Sequence, residues 1–170
     1  RMDVIAPHTK WVRSFSCTEG NEYIPKVAHT KGLKAMVGAW ISNDKSQNED
    51  EIESLINLAK NGMVDIAVVG NEVLLRNELT EQEILEYIQR VKAALPDIPV
   101  AYVDAYYQFI ERPALVEACD VILVNCYPFW EGYHVDQASQ YLKQMYKVTK
   151  SVSQGKQVII TETGWPNSGS

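Results

Sequence analysis

The sequence predicts an α/β protein built around a parallel β-sheet. Apolar segments of strand length alternate with amphipathic helical segments at a spacing of about thirty residues, which is typical of β-α-β units with right-handed crossovers. Several strand segments are almost continuously Val, Ile, Leu or Ala, as in strands buried on both faces. No low-complexity linker interrupts the alternation, so residues 1–170 are interpreted as a single domain.

Six segments are predicted as strands because each is a short apolar run bounded by polar or turn residues. They are Trp11–Cys17, Lys34–Ile41, Val64–Glu72, Pro99–Ala105, Asp120–Tyr127 and a last strand, buried on both faces, that begins at Val158. The last strand is expected to stop near Gly164, since Pro166 cannot donate a ladder hydrogen bond and restricts the residue before it.

Five segments are predicted as helices from apolar residues repeated every three or four positions. They are Glu22–Thr30, Glu49–Lys60, a helix that opens at the Thr80–Glu83 capping box and ends at Pro96, the short segment Ala114–Ala118, and Val135–Val152. The last helix is expected to turn Ala138, Tyr141, Leu142, Met145, Val148 and Val152 to the core. Residues Ser42 to Asn48 are expected to form a polar loop.

Two architectures fit this alternation of strands and helices, an open doubly wound sheet and a (β/α)8 barrel. A glycine-rich phosphate fingerprint is absent after every predicted strand, which weighs against a nucleotide-dependent enzyme. A barrel usually needs about 250 residues and eight strands, whereas six strands are predicted here. The residues alone leave both architectures open.

Composition narrows the classes of ligand. A net charge of -6 argues against nucleic acid and anionic membrane surfaces as partners, because both require clustered Lys and Arg. No apolar run has the length of a membrane span, and the first residues lack the layout of a signal peptide. Cys17, Cys119 and Cys126 lack the spacing of a zinc site or a disulfide framework, so they are predicted to be buried thiols. A neutral substrate fits best, and no metal or cofactor is predicted.

Polar and aromatic side chains follow four of the predicted strands, and the carboxyl ends of parallel strands meet at one edge of a sheet. They are Asn71 and Glu72, Asp104 and Tyr106, Asn125 and Tyr127, and Glu162 and Trp165. Two carboxyl groups on different strands can hydrolyse a glycosidic bond, because one protonates the leaving oxygen while the other attacks the anomeric carbon or activates water. Taken alone, Glu162 could equally be a structural carboxylate paired with an arginine.

Other residues near these strand ends are candidates for binding a sugar. Trp130 and Trp165 are predicted platforms, because sugar C–H faces stack on aromatic rings. Phe129 is interpreted as a packing residue instead. Asp104 could bind a sugar hydroxyl or cap the following turn. Arg13 lies within a strand among apolar residues, so we expect it to pair with a carboxylate beside the substrate, with Glu162 as the candidate.

Four motifs in this order resemble the glycoside hydrolase family 17 enzymes, which act on β-1,3-glucans. They are Trp11-Val-Arg13, Val69-Gly-Asn-Glu72, Asn125-Cys-Tyr-Pro128 and Thr161-Glu-Thr-Gly-Trp-Pro166. The resemblance implies a (β/α)8 barrel and a retaining mechanism with Glu72 as acid/base and Glu162 as nucleophile. It further implies that Asn71 contacts the hydroxyl beside the anomeric centre and that Tyr127 hydrogen-bonds near the nucleophile.

The resemblance also implies an incomplete barrel. The third and sixth predicted strands correspond to the family's fourth and seventh, so about six of eight β/α units are present. We therefore expect a fragment truncated at both ends, or a chain that pairs with a second chain to close the barrel. The implied function is endo-hydrolysis of β-1,3-glucan. A β-1,3-glucanosyltransferase and a non-catalytic glucan-binding or scaffold fragment remain alternatives, and the resemblance implies a secreted or cell-envelope location.

Overall fold

The computed structural model describes residues 2–168, in which six parallel strands form one sheet in the order β1-β2-β3-β4-β5-β6. Each strand therefore pairs with its neighbour in sequence, as in a barrel, whereas a doubly wound sheet reverses its strand order partway. The strands are β1 (Trp11–Ser14), β2 (Lys34–Ala39), β3 (Ile66–Asn71), β4 (Val100–Ala105), β5 (Ile122–Asn125) and β6 (Val158–Glu162). All six predicted strands are confirmed.

Helices fill the connections between the strands. They are α1 (Met2–Ile5), followed by a 3-10 turn (Ala6–His8), α2 (Tyr23–Thr30), α3 (Lys45–Lys60), α4 (Glu81–Ala94), α5 (Tyr106–Glu111), α6 (Pro113–Ala118) and α7 (Val135–Val152). The capping box predicted for α4 is present, with Thr80 and Glu83 each accepting a backbone N–H of the other residue.

Two predictions about the helices were wrong, and one helix was missed. Helix α3 begins at Lys45 and not at Glu49, because the Asp44 side chain caps its first turn. Most of the segment predicted as a polar loop is therefore helical. Helix α5 was not predicted. Val148 on α7 is 39% exposed, and Thr149 is buried in its place with its hydroxyl bonded to the Met145 carbonyl.

The sheet is strongly curled, as one long-range contact demonstrates. Five inter-strand steps of about 4.8 Å would separate β1 from β6 by about 24 Å in a flat sheet. Nevertheless, Arg13 on β1 lies 2.8 Å from Glu162 on β6. The strands therefore bend around a common axis and form a partial (β/α)8 barrel.

Side chains alternate between two apolar clusters. The convex face packs against the helices through the larger cluster, which includes Ala67, Val69, Tyr102 and Val124. The concave face holds a smaller cluster drawn from the strands and their entry residues, namely Met36, Ile66, Val68, Ala101, Val103, Val121 and Leu123. The prediction of a fully buried last strand was wrong beyond Val158, because β6 is an edge of the described sheet and Ile159 and Ile160 are half-buried.

Two β-bulges decide which face the functional residues occupy. On β3, Val68 pairs with Ala101 but Asn71 pairs with Val103, so β3 carries one extra residue. Paired residues of neighbouring strands share a face, so the bulge turns Asn71 to the concave side, where Val103 lies.

The second bulge lies on β6. Val124 pairs with Ile160 but Asn125 pairs with Glu162, so β6 also carries one extra residue. Without it, Glu162 would share the convex face with Val158 and Ile160. With it, Glu162 shares the concave face with Asn125.

Candidate active site

A cleft of about 700 Å³ opens at the carboxyl ends of the strands. Its lining combines acidic, aromatic and amide side chains with two aliphatic ones, namely Glu72, Leu75, Ala105, Tyr106, Tyr107, Asn125, Tyr127, Trp130, Glu131 and Glu162. The volume suits a ligand of several rings, and the three carboxyl groups in the lining disfavour an anionic one.

Glu162 is held at both carboxyl oxygens. Arg13 Nη1 donates to Oε1 at 2.8 Å, and the Tyr127 hydroxyl donates to Oε2 at 3.0 Å. The side chains of Arg13 and Glu162 are 13% and 22% exposed, so the ion pair is largely shielded from water. The predicted pairing of Arg13 with Glu162 is confirmed, and the carboxyl plane of Glu162 is fixed from two sides.

Glu72 follows β3 in the left-handed region, with φ of 54°. Its backbone N–H donates to the Val103 carbonyl at 2.8 Å, and its Oε1 accepts from Asn125 Nδ2 at 2.8 Å. Thr161 in turn donates to Asn125 Oδ1 at 2.8 Å, which sets the orientation of that amide. Within the described residues, Glu72 takes part in no ion pair, unlike Glu162.

Asn71 links the two glutamates. Its Oδ1 accepts from Arg13 Nη2 at 2.7 Å and lies 3.4 Å from Asn125 Nδ2. A continuous path of hydrogen bonds thus runs from Glu72 through Asn125, Asn71 and Arg13 to Glu162. Such a network fixes the relative positions of the two carboxyl groups before any substrate binds.

The Tyr127 side chain is neutral when its hydroxyl donates to Glu162. Burial, together with the hydrogen bond to Glu162, raises the pKa of Tyr127 to about 12. The hydroxyl therefore remains a donor throughout the neutral and mildly alkaline range.

The predicted aromatic platforms occupy different positions. Trp130 lines the cleft and is 76% exposed. Trp165 lies outside the cleft lining and packs edge-on against Phe129, with ring centroids 5.3 Å apart. Phe129 also supports Trp130 at 4.9 Å, as expected of a packing residue.

The prediction that Asp104 binds sugar is not supported by its position. Asp104 is fully buried on the convex side, where Tyr102 also points. Its oxygens accept from the Tyr102 hydroxyl and from the backbone N–H groups of Leu74 and Ala105. Burial raises the pKa of Asp104, although these hydrogen bonds oppose the shift. Asp104 therefore anchors the turn after Glu72, which neither of the alternatives above included, and also accepts from the N–H of Ala105 at the start of its own following turn.

Sequence reasoning missed four residues of the cleft, Leu75, Ala105, Tyr107 and Glu131. Tyr107 lies on α5, the helix that was not predicted, and Glu131 follows Trp130 in the loop after β5. Glu131 Oε2 accepts from Tyr141 at 2.7 Å and from Tyr106 at 3.3 Å. The polar and aromatic residues directly after β4 and β5 were the available signal.

Three further observations concern residues 2–168. No group of three or more His, Cys, Asp or Glu side chains in this range is arranged to hold a metal ion. No helix in the same range combines the length and apolar character needed to cross a membrane. Cys17, Cys119 and Cys126 are buried and unpaired, as predicted.

A curled parallel sheet that brings two glutamates to a cleft at its carboxyl edge is typical of the barrel-type glycoside hydrolases. The chain belongs to the BtgE/BtgC glycoside hydrolase domain family, whose sequence model matches residues 1–170. It is similar to a probable β-glucosidase btgE of Neosartorya fischeri, with 29% identity over 160 residues, covering 87% of this chain and 28% of that protein.

A solved structure extends the comparison. The glycoside hydrolase family 17 β-1,3-glucanosyltransferase from Rhizomucor miehei matches with a TM-score of 0.87 and 33% identity, covering 98% of this chain and 64% of that one. An active-site mutant of the same enzyme in complex with laminaritriose matches with a TM-score of 0.88 at the same identity and coverage. The resemblance to family 17 is thus confirmed. The chain spans less than two thirds of the length of each of these relatives.

Proposed function

We propose that the protein is a retaining glycoside hydrolase that cleaves β-1,3-glucan, with Glu162 as nucleophile, Glu72 as acid/base and residues 1–170 acting as one catalytic domain. The observation that carries the proposal is the network joining these two glutamates at the edge of a cleft lined by tyrosine and tryptophan side chains. Membership of a glycoside hydrolase family and the likeness to a β-1,3-glucanosyltransferase support the same substrate class.

The unequal surroundings of the two glutamates support the division of roles. Glu162 has a guanidinium 2.8 Å from one oxygen, so its negative charge is already balanced, which suits a nucleophile. Glu72 accepts from the neutral amide of Asn125, which suits a group that gains and loses a proton during the cycle.

The reaction proceeds in two displacements. In the first, a Glu162 oxygen attacks the anomeric carbon while the glycosidic C–O bond breaks, and Glu72 gives its proton to the departing oxygen. In the second, Glu72 removes a proton from water as that water attacks the anomeric carbon, and the bond to Glu162 breaks. Two inversions at the same carbon leave the product with the β configuration of the substrate.

Neighbouring groups are proposed to align the reacting sugar. Asn71 Oδ1 is occupied by Arg13, which leaves the Asn71 amide nitrogen to donate to the hydroxyl beside the anomeric centre. Tyr127 lies within hydrogen-bonding distance of the nucleophile and can remain there as the glycosyl-enzyme bond forms. Trp130, exposed at the rim of the cleft, offers a stacking face to an adjoining glucose unit.

Transglycosylation on the same site is the second candidate, favoured by the glucanosyltransferase activity of the Rhizomucor miehei protein. The chemistry differs in the second step alone, where a sugar hydroxyl replaces water as the acceptor. With laminaritriose as substrate, hydrolysis yields shorter products, whereas transfer also yields products longer than the trisaccharide. Chromatography of the early products separates the two.

Azide rescue of two variants tests the assignment of roles. In Glu162→Ala, azide should attack from the vacated side and give the α-glycosyl azide, whereas in Glu72→Ala it should attack the glycosyl-enzyme and give the β-glycosyl azide. Glu53→Ala on the exposed face of α3 is the matched control and should keep full activity on laminarin. A β-glycosyl azide from Glu162→Ala and an α-glycosyl azide from Glu72→Ala would make Glu72 the nucleophile and Glu162 the acid/base. Full laminarin hydrolysis by Glu162→Ala would end the proposal, and glucan binding without any turnover by the unmodified protein would favour a scaffold.

An enzyme of this kind is expected where its polymer lies, in the cell envelope or outside the cell. Detection in the cytosolic fraction alone would contradict this location. The unpaired sides of β1 and β6 in the described sheet are where further strands, from the same chain or from a second chain, would complete the barrel. A monodisperse monomer of 19.2 kDa that retains activity would argue against a second chain.

A further inference from the structure

Arg76 lies four residues after Glu72, in the turn that leads from β3 to α4. Its Nη1 donates to the carbonyl oxygen of Asn71, and its Nη2 donates to the carbonyl oxygen of Ile41 at 2.9 Å. The register between β2 and β3 ends at the Ala39–Val69 pair, before either of these carbonyls. One guanidinium therefore bridges the end of β3 and the segment after β2, beyond the last pair of residues that the sheet joins.

The guanidinium is itself fixed in place. Glu78 accepts from Nη2 at 2.7 Å, and the Trp40 ring lies under the guanidinium carbon at 4.6 Å. The side chain of Arg76 is 26% exposed, so the bridge is partly shielded from competing water. A flat, multiply bonded guanidinium holds two carbonyls in a defined geometry that a single ammonium cannot reproduce.

The carbonyl of Asn71 belongs to the peptide bond that precedes Glu72, so its direction sets the φ angle of Glu72. That φ is 54°, in a region that is strained for a residue with a side chain. The N–H of the same peptide donates to the Val103 carbonyl on β4. The peptide plane is thus held at its oxygen by Arg76 and at its nitrogen by β4.

We propose that Arg76 is a positioning residue for the acid/base, an inference that rests on the function proposed above. By holding the Asn71 carbonyl, Arg76 keeps the strained conformation that directs the Glu72 carboxyl into the cleft. Rotation of this peptide would relax φ to a negative value and turn the side chain away from Asn125. Arg76 lies outside the cleft lining, so its effect on catalysis passes through Glu72.

A comparison of two substrates separates this role from a general loss of structure. Cleavage of laminarin requires a proton for the departing sugar, whereas a 2,4-dinitrophenyl β-laminaribioside has a leaving group that departs without one. The kcat/KM of each substrate reports the glycosylation step. A misdirected Glu72 impairs the first reaction and spares the second, whereas a disordered site impairs both.

For Arg76→Ala we expect kcat/KM on laminarin to fall by at least about tenfold, given the sensitivity of proton transfer to position, and kcat/KM on the aryl glycoside to stay within about threefold. Arg76→Lys should show the same selective loss and serves in its place if the alanine variant does not fold. Arg90→Ala is the matched control, because Arg90 on α4 forms an exposed ion pair with Glu49 on α3, so its loss should leave both rates unchanged. Equal losses on both substrates, or none on either, would overturn the proposal.

Two further measurements separate this inference from the proposed function. Glu72→Ala should show the same selectivity between substrates, and if that variant keeps full laminarin activity, it is the acid/base assignment that fails. A crystal structure of Arg76→Ala or Arg76→Lys provides a readout independent of activity. We expect the Glu72 φ to leave the positive region, with loss of the hydrogen bond from Asn125. An unchanged Glu72 would contradict the role of Arg76.

Discussion

Replacing Glu51 should reveal how the two loops beside the cleft are held. Glu51 lies on α3 with no exposed surface, yet it is a carboxylate. Its Oε1 accepts from the hydroxyls of Ser16 and Thr18 at 2.5 and 2.6 Å, and its Oε2 accepts from the backbone N–H groups of Cys17 and Trp40 at 3.0 Å each. One side chain therefore joins the loop after β1 to the residue that follows β2. Arg13 lies on β1, just before that loop.

The magnitude follows from what each substitution leaves unpaired. Glu51→Ala leaves two backbone N–H groups without an acceptor, and neither can rotate towards another one. Each unpaired group costs about 1–3 kcal/mol, so we expect the free energy of unfolding to fall by roughly 2–6 kcal/mol. In Glu51→Gln, the amide oxygen can accept from both backbone N–H groups, while its NH2 donates to the two hydroxyls, which can rotate into acceptors. The glutamine variant should therefore lose about 1–2 kcal/mol, mainly the contribution of the charge.

Stability should also depend on pH through Glu51. Burial alone would raise the pKa of Glu51, but hydrogen bonds from Ser16, Thr18 and the two backbone amides bring it below its ordinary value. The unfolded chain then binds the proton more readily than the folded one, so the stabilisation is present above the ordinary pKa of about 4.3 and is lost as pH falls through the lowered value. Glu51→Gln should lose this part of the acid-side slope.

Urea unfolding at neutral pH, repeated towards pH 3, measures both effects. Glu53→Ala, on the exposed face of the same helix, is the control and should stay within about 0.5 kcal/mol of the unmodified protein. Equal destabilisation by alanine and glutamine at position 51, or a loss below about 0.5 kcal/mol for alanine, would refute the reasoning from unpaired amides.

Two other predictions use different parts of the molecule. Lys156 Nζ donates to three carbonyls at the end of α6, those of Val116, Glu117 and Cys119, at 2.7–2.9 Å, so Lys156→Met should lower the free energy of unfolding by about 1.5–3 kcal/mol in urea titrations. Lys147→Met, at an exposed position, should leave the free energy of unfolding unchanged. An equal loss in both variants would refute a stabilising role for the three Lys156 hydrogen bonds. Trp130→Ala should weaken laminarin-oligosaccharide binding about three- to tenfold by calorimetry, with little change in stability, because the ring is exposed at the cleft. Unchanged affinity would remove Trp130 from the binding surface.

The order of strands and helices was predictable because each element has its own periodic signal. The strand runs, the capping box at Thr80 and the amphipathic face of α7 are local features. Boundaries were less predictable where a side chain decides them, as Asp44 does for α3. The short helix α5 follows β4 directly and carries too few residues for a clear helical period.

The candidate site was predictable at the strand ends but not in the direction of its side chains. Strict alternation along β6 would place Glu162 on the convex face with Val158 and Ile160, and a bulge reverses this. No single local residue type marks that bulge, since it arises from pairing with β5. Asp104 shows the converse, because β4 continues its alternation and keeps Asp104 on the convex side with Tyr102.

The proposed mechanism depends on a covalent bond between Glu162 and the sugar, and that bond can be trapped. A 2-deoxy-2-fluoro β-laminaribioside with a good leaving group should glycosylate the enzyme: the carboxylate attacks the anomeric carbon as the leaving group departs, and the glycosyl ester persists because the fluorine slows the second step more than the first. Mass spectrometry of the digested protein should then locate the added disaccharide on the peptide that carries Glu162. Labelling of Glu72 or of another residue, or laminarin turnover with inversion and no trapped species, would contradict the account.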